Sequence, residues 1–259
     1  MPKFAANLSF MFTEVDFLDR FAAARDHGFD AVEFLFPYAW PAAQIAERLA
    51  SSDLQPVLHN LPAGDWAAGE RGMACDPAKV SQFQDSVALA LDYARVLGVR
   101  RLHCLAGLLP PGVAPQHAQA TYIDNLRFAA AQLQPHDIDL LIEPINTYDM
   151  PGYFLTGSAQ AADIIHATGA DNLFLQFDLY HMQRMEGKLA AAIARYLPLI
   201  GHLQVADVPG RHEPGTGTID FPALFALIDD LGYDGWVGCE YHPLAGTVAG
   251  LGWRSALQA

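Results

Sequence analysis

A chain of 259 residues that is 52% hydrophobic and only 17% charged has the apolar material for a sizeable core and too little charge for intrinsic disorder. Its formal charge of −14, from 15 Lys+Arg against 29 Asp+Glu, together with the lack of any Lys/Arg run, argues against a nucleic-acid partner. Three cysteines, Cys75, Cys104 and Cys239, form an odd set without a C-x-x-C pair, which points to neither a disulfide framework nor a thiolate zinc site and fits a reducing cytoplasm.

The apolar N-terminus is not read as a signal peptide, because Asn7 interrupts it, Lys3 is its only basic residue, and Glu14 and Asp16 follow closely. Residues 3–9 read as a first strand. Residues 16–27 place Phe17, Leu18, Phe21, Ala22 and Ala24 at the spacing of an amphipathic helix closed by Gly28. A second strand over 31–36 leads to a helix over 41–51, whose opening Pro41 lacks an N–H that the first turn does not need. A third strand, 55–59, precedes a long Gly-rich loop, 60–77, and a helix over 78–97 stopped by Gly98. A fourth strand over 101–105, a loop over 106–115 and a helix from about 116 to 134 come next.

In the fifth strand the run Leu140-Leu141-Ile142 drives straight into Glu143-Pro144-Ile145-Asn146. The apolar residues read as a strand buried on both faces, and Pro144 removes a ladder donor and holds Glu143 extended, so the strand stops with its acid at the carboxyl end. A helix over 158–167, a sixth strand over 173–178, a helix around 188–196 and a seventh strand over 200–206 follow. A turn-rich loop over 207–217, a helix over 221–231, an eighth strand over 236–241 and a short helix at about 250–257 complete the chain. No apolar segment approaches the roughly 20 residues that span a bilayer. Eight strands alternating with helices, without a Gly-x-Gly-x-x-Gly turn after the first, predict one α/β domain over residues 1–259, a closed (β/α)8 TIM barrel.

Polar residues close the late strands: Glu143, Asp178, Gln204 and Glu240, each about one βα unit beyond the last. A barrel sets such residues on a ring at its mouth, and strand alternation lets all four face the axis. Three carboxylates and an amide oxygen make a hard oxygen cage, better suited to Mg2+ or Mn2+ than to Zn2+. Singly, each is also explained as a helix cap or a solvated strand end. Unneutralised acids behind the runs Leu140-Leu141-Ile142 and Trp236-Val237-Gly238-Cys239 are costly, however, and together they favour a metal site.

Further polar residues gather at the same rim. His181, three residues beyond Asp178, serves either a ligand oxygen or a helix end; His59 and Asn60 close the third strand as site residues or as an ordinary polar pair. Glu33 either faces the axis or pairs with a basic neighbour, His202 reads as a hydrogen-bonded core histidine, and both readings stand for His103. The loop over 62–72 has glycines for mobility, Trp66 to exclude water, and Arg71 to hold a carboxylate, unless Arg71 only pairs with Glu70. Arg211, behind the seventh strand, is a second basic site or part of a solvated turn.

With these segments in view, the chain resembles the hydroxypyruvate isomerase family, within the xylose-isomerase-like barrel superfamily, nearly end to end. The most specific pieces are Leu58-His59-Asn60-Leu61-Pro62-Ala63-Gly64-Asp65-Trp66-Ala67-Ala68-Gly69-Glu70-Arg71-Gly72, Leu141-Ile142-Glu143-Pro144-Ile145-Asn146, Tyr180-His181-Met182-Gln183-Arg184-Met185-Glu186-Gly187 and Gly235-Trp236-Val237-Gly238-Cys239-Glu240-Tyr241. The resemblance implies that Glu143, Asp178, Gln204 and Glu240 hold a divalent metal and that Glu143 and Glu240 act as proton donor and acceptor. It implies a small hydroxy-oxo acid as substrate, with hydroxypyruvate converted to 2-hydroxy-3-oxopropanoate (tartronate semialdehyde) through an ene-diolate. Candidates to meet that substrate are His59, Glu70, Arg71, His181, Arg211 and His242. His242 stands where relatives are expected to carry Lys, and His103 where an Asn is usual. A 2-oxo-tetronate isomerase and a ketose 3-epimerase on the same barrel are the alternatives nearest to this reading. A metal-dependent phosphodiesterase or endonuclease would need more histidine ligands and a basic face, and a non-catalytic sugar-acid binder would have no use for two intact glutamates. Apolar residues on the outer helices leave a homo-oligomer open.

Overall fold

A computed structural model of the chain describes residues 2–256. Eight parallel strands, β1 (Lys3–Asn7), β2 (Ala31–Phe34), β3 (Gln55–Asn60), β4 (Arg101–His103), β5 (Asp139–Ile142), β6 (Leu173–Asp178), β7 (Ile200–Val205) and β8 (Trp236–Cys239), pair in chain order, and β8 closes back on β1. Helices α1 (Arg20–Asp26), α2 (Ala42–Ser51), α3 (Val80–Leu97), α4 (Pro115–Leu133), α5 (Ser158–Thr168), α6 (Leu179–Met185), α7 (Leu189–Tyr196), α8 (Phe221–Asp230) and α9 (Gly252–Ala256) run between and after the strands. This is the (β/α)8 barrel that the alternating pattern predicts. Among the described residues no helix is long and apolar enough to cross a membrane.

Period-two alternation on the strands sorts residues between two interiors. On β5, Leu140 and Ile142 pack outward among the helices, whereas Leu141 joins Ala5, Ala31 and Val57 in a small cluster inside the barrel. Two residues further along stand Asn7, Glu33 and His59 on their strands and Glu143 just past the end of β5, all buried. The inside of the barrel is therefore apolar at its base and polar towards its carboxyl-terminal mouth. Gly238 on β8 makes the polar layer fit, because a Cβ there would overlap the Glu33 carboxylate.

Four elements differ from the expected pattern. The stretch behind the sixth strand is helical, since Asp178 caps α6 by accepting the Tyr180 N–H at 2.7 Å and the helix starts directly from β6. β4 and β8 stop at His103 and Cys239, which leaves Glu240 beyond the pairing ladder at the mouth. The last helix covers 252–256, behind a 3-10 turn at Ala249–Leu251; residue 257 of the expected span lies outside the described residues. The long loop behind β3 returns at Gly72, whose φ of +117° and close approach to the Leu105 carbonyl, 2.6 Å from where a Cβ would stand, exclude any side chain.

Candidate active site

The mouth of the barrel collects acids from three strand ends. Glu143 follows β5, Asp178 ends β6 and Glu240 follows β8, and together with His181 of α6 they bring one ligand atom each to within 4.8 Å of one another, all buried. Glu143 Oε2 lies 3.2 Å from Gln176 Nε2, which donates to it, and 3.5 Å from His103 Nε2. Among the described residues Glu143 Oε1 and Asp178 Oδ2 have no hydrogen-bond partner, although each is 3.7 Å from His181 Nε2. Partnerless buried carboxylate oxygens aimed into one gap are costly unless a cation or substrate completes them. Capping does not use up Asp178, because its Oδ1 serves the helix and its Oδ2 faces the gap.

Gln204 does not point into the gap alone. Its Nε2 donates to Glu33 Oε1 at 2.7 Å and its Oε1 accepts from Gln176 Nε2 at 2.7 Å. Glu33 also accepts from Asn7 Nδ2 at 2.9 Å and pairs with His202 Nε2 at 2.7 Å. This network fixes the amide so that its oxygen stays on the side of Gln176 and Glu143. Glu33 therefore takes the axis-facing reading, and His202 the core one.

Arg211 is the cation of the site. Its Nη2 lies 2.5 Å from Glu240 Oε2 and 3.7 Å from Asp178 Oδ2, and the guanidinium packs over the rings of Phe10 at 5.0 Å and Tyr180 at 5.2 Å. Burial opposes its charge, but the attraction of Glu240, Asp178 and Glu143 prevails and raises its pKa. Burial pushes Glu240 up to about 8 and Asp178 up to about 6, with Arg211 offsetting part of the rise. Glu143 is raised well above the carboxylate range, first by burial and then by the neighbouring charges of Glu240 and Asp178. Burial, followed by the charges of Arg211 and Arg184, holds His181 well below the usual histidine value.

A pH dependence with a definite sign follows. Folded Asp178 and Glu240 bind protons more readily than the unfolded chain does, with values of about 6 and about 8 against 3.8 and 4.5. Their contribution to stability is fully present below the unfolded values and is lost as pH rises through the folded ones. In chelator, the Tm difference between wild type and Glu240→Gln is expected to shift against wild type from about pH 5 to about pH 8. Thermal scans across that window check it, and a difference moving in wild type's favour contradicts it.

The gap opens into a cavity of about 100 Å³ lined by Asn60, Trp66, His103, Glu143, Arg211 and Glu240 among others. Outside it lies a vestibule of about 730 Å³, walled by Phe10, Phe36, Trp40, Trp66 and His242. His242 sits there with its ring 4.7 Å from Phe10, and its backbone N–H donates to the Arg211 carbonyl at 2.9 Å. His59 is buried beside the cavity, with Nδ1 3.2 Å from the Asn60 carbonyl, and burial lowers its pKa to about 4. Glu70 pairs with Lys79 and accepts the Asp65 N–H at 2.8 Å, while Arg71 stacks on Trp66 at 4.1 Å and donates to the Trp66 and Glu70 carbonyls. Neither side chain lines the cavity, so this loop reaches it through Trp66 and is tied down by its charges.

Asn7, Gln176, Asn146 and Asp149 escaped the sequence reading. Asn7 and Gln176 stand two residues from inward-facing positions of their own strands, so alternation was the signal that would have found them. Asn146 and Asp149 bond one another locally, but their link to the site runs through His181 and Tyr180 of α6, which no local pattern announces.

Fold and site define a parallel barrel with an acidic, cation-compensated centre at its carboxyl-terminal mouth. The chain belongs to the xylose isomerase-like TIM barrel family, whose profile matches residues 21–257. It is 52% identical over 253 residues to hydroxypyruvate isomerase of Escherichia coli (strain K12), covering 98% of each chain. It is also 52% identical over 253 residues to 2-oxo-tetronate isomerase of Cupriavidus necator, covering 98% of this chain and 97% of the other. The solved structure of AP endonuclease, family 2 from Brucella melitensis superposes with a TM-score of 0.97 at 46% identity, over 99% of each chain. The curated relatives place the chain among the isomerases of this superfamily.

Proposed function

We propose that the chain interconverts hydroxypyruvate and 2-hydroxy-3-oxopropanoate, with Glu143 and Glu240 as the acid/base pair. The observation that carries this reading is two buried glutamates, both raised above the carboxylate range, facing one small cavity from β5 and β8. One carboxylate takes a proton from C3 of hydroxypyruvate and the other returns a proton to C2, while the hydroxyl hydrogen leaves O3 and a hydrogen is gained at O2. A base poised near neutral pH suits that task better than an ordinary, weakly basic carboxylate. Arg211 is the group to meet the substrate carboxylate, and in doing so it loosens its hold on Glu240.

The partnerless Glu143 Oε1 and Asp178 Oδ2, converging with Glu240 and backed by the oriented Gln204 oxygen, fit a hard divalent cation such as Mg2+ or Mn2+. Such an ion, when bound, supplies positive charge that polarises a neighbouring carbonyl. Trp66 and Phe10 line both the cavity and the vestibule, which places them to limit the access of water.

A second reading, isomerisation of the four-carbon 2-oxo-tetronate, has the vestibule in its favour, because an added carbon can extend into that space. A cavity of about 100 Å³, far below the roughly 300–1,000 Å³ of drug-sized pockets, supports the three-carbon acid. Initial rates with hydroxypyruvate, 2-oxo-tetronate and ketoses decide between them. The expected kcat/KM favours hydroxypyruvate by about tenfold or more, the order of effect of one carbon in a fitted pocket; the reverse preference assigns the four-carbon acid.

A further inference from the structure

We infer that Asn146 sets the tautomer of His181 and thereby makes the ring a neutral hydrogen-bond donor to a substrate oxygen, not a metal ligand. The inference rests on the proton-transfer reading above, but it uses atoms that reading leaves unassigned. Asn146 is fully buried at the close of the stretch Glu143-Pro144-Ile145-Asn146. Its Oδ1 accepts the backbone N–H groups of Tyr148 at 3.1 Å and Asp149 at 2.9 Å. Backbone N–H groups only donate, so the amide cannot be turned over. Its Nδ2 then gives one hydrogen to Asp149 Oδ2 at 3.0 Å and faces His181 Nδ1 at 2.6 Å with the other. The Asn146 backbone N–H points at the same Nδ1 from 3.4 Å.

A ring nitrogen met by two N–H donors has to be an acceptor, so the proton of neutral His181 sits on Nε2. That Nε2–H looks into the gap, 3.7 Å from both Glu143 Oε1 and Asp178 Oδ2, too far to be spent on either. Nε2 in this tautomer has no lone pair for a cation. Among the four groups that converge there, His181 is thus kept for the substrate. A neutral imidazole N–H aimed where an oxyanion develops stabilises it without having to ionise or reorient. Asp149 anchors the device from behind, taking the Tyr180 hydroxyl at 2.8 Å and pairing with Arg184 at 3.3 Å. Asn146 is accordingly a positioning residue.

The test is the ring tautomer itself, read by long-range 1H–15N correlation in 15N-histidine protein, with His181 assigned among the 10 histidines by its loss in His181→Gln. The expected result is the Nε2–H pattern in metal-free wild type, unchanged on adding Mg2+. Asn146→Asp offers a carboxylate oxygen to Nδ1; it is expected to turn the ring to Nδ1–H and to lower kcat about 10- to 100-fold, within the effect of one preorganised donor. Asn146→Ala, with only the long backbone contact left, is expected to mix the tautomers and cost less, and it stands in if the Asp variant does not fold. An Nδ1–H ring in wild type, or a flipped ring with kcat unchanged, overturns the inference. Wild type that isomerises the acids with an Nδ1–H ring sinks this inference alone. An Nε2–H ring in a protein that isomerises none of them upholds the tautomer and sinks the functional reading.

Discussion

Glu143→Gln and Glu240→Gln are each expected to lower kcat by about 10²–10⁴-fold, the range that positioned acids and bases contribute. Both changes keep side-chain shape while removing the negative charge and the ability to carry a proton at the carbon. They differ in their effect on stability, which makes the pair informative. Glu143 is raised by burial and by the charges of Glu240 and Asp178, so its neutral amide relieves repulsion, and the metal-free Tm is expected to hold or rise. Glu240 lies 2.5 Å from Arg211, so its loss leaves the guanidinium with the more distant Asp178 and is expected to lower the Tm near pH 5, a deficit that narrows towards pH 8 as wild-type Glu240 ionises. Deuterium incorporation from solvent into substrate should vanish with turnover in both variants. Retention of turnover within about threefold of wild type in either one would remove that glutamate from the acid/base pair, since even the weakest expected contribution is about a hundredfold.

The second large effect is on folding. Arg211→Met is expected to cost the metal-free protein about 3–5 kcal/mol near pH 8, because removing one partner of a buried pair leaves the other charges uncompensated. Methionine keeps apolar contact with Phe10 and Tyr180, over whose rings the guanidinium now lies, so the loss isolates charge from packing. At about pH 5, below the folded values of about 8 and about 6, Glu240 and Asp178 are largely protonated and need the cation less, so the penalty should shrink. Urea denaturation at both pH values measures this. Equal penalties at the two would show that Arg211 acts through packing alone. The same substitution should raise KM for the acid more than it lowers kcat, since the guanidinium is the cation of the cavity.

Much of this protein was legible without coordinates, and the reasons are local. Leu140-Leu141-Ile142 ahead of Glu143-Pro144 announces a buried strand stopped at an acid, and the structure places that acid beside Asp178 and Glu240. The helix starting at Leu179 was missed because the residue that caps it, Asp178, had been spent on the site, whereas one of its carboxylate oxygens caps the helix and the other faces the gap. Glu70 and Arg71 look like substrate groups in sequence because charge in a Gly-rich loop reads the same whether it faces a ligand or its own loop. Only the contacts to Lys79, Asp65 and Trp66 separate the two.

By itself, then, the sequence determined the closed barrel and the meeting of acids at its mouth, because apolar periods of two and 3.6 and a polar residue at each strand end are short-range signals that the closed sheet brings to one ring. Tertiary structure alone decided how those acids are partnered. Asn7 reaches Glu240 across 233 positions and His202 reaches Glu33 across 169, and Arg211 enters from a loop whose path no pattern records. Which way the Gln204 and Asn146 amides face, and hence which nitrogen of His181 holds its proton, depends on hydrogen bonds between strands and helices that meet only when the barrel closes.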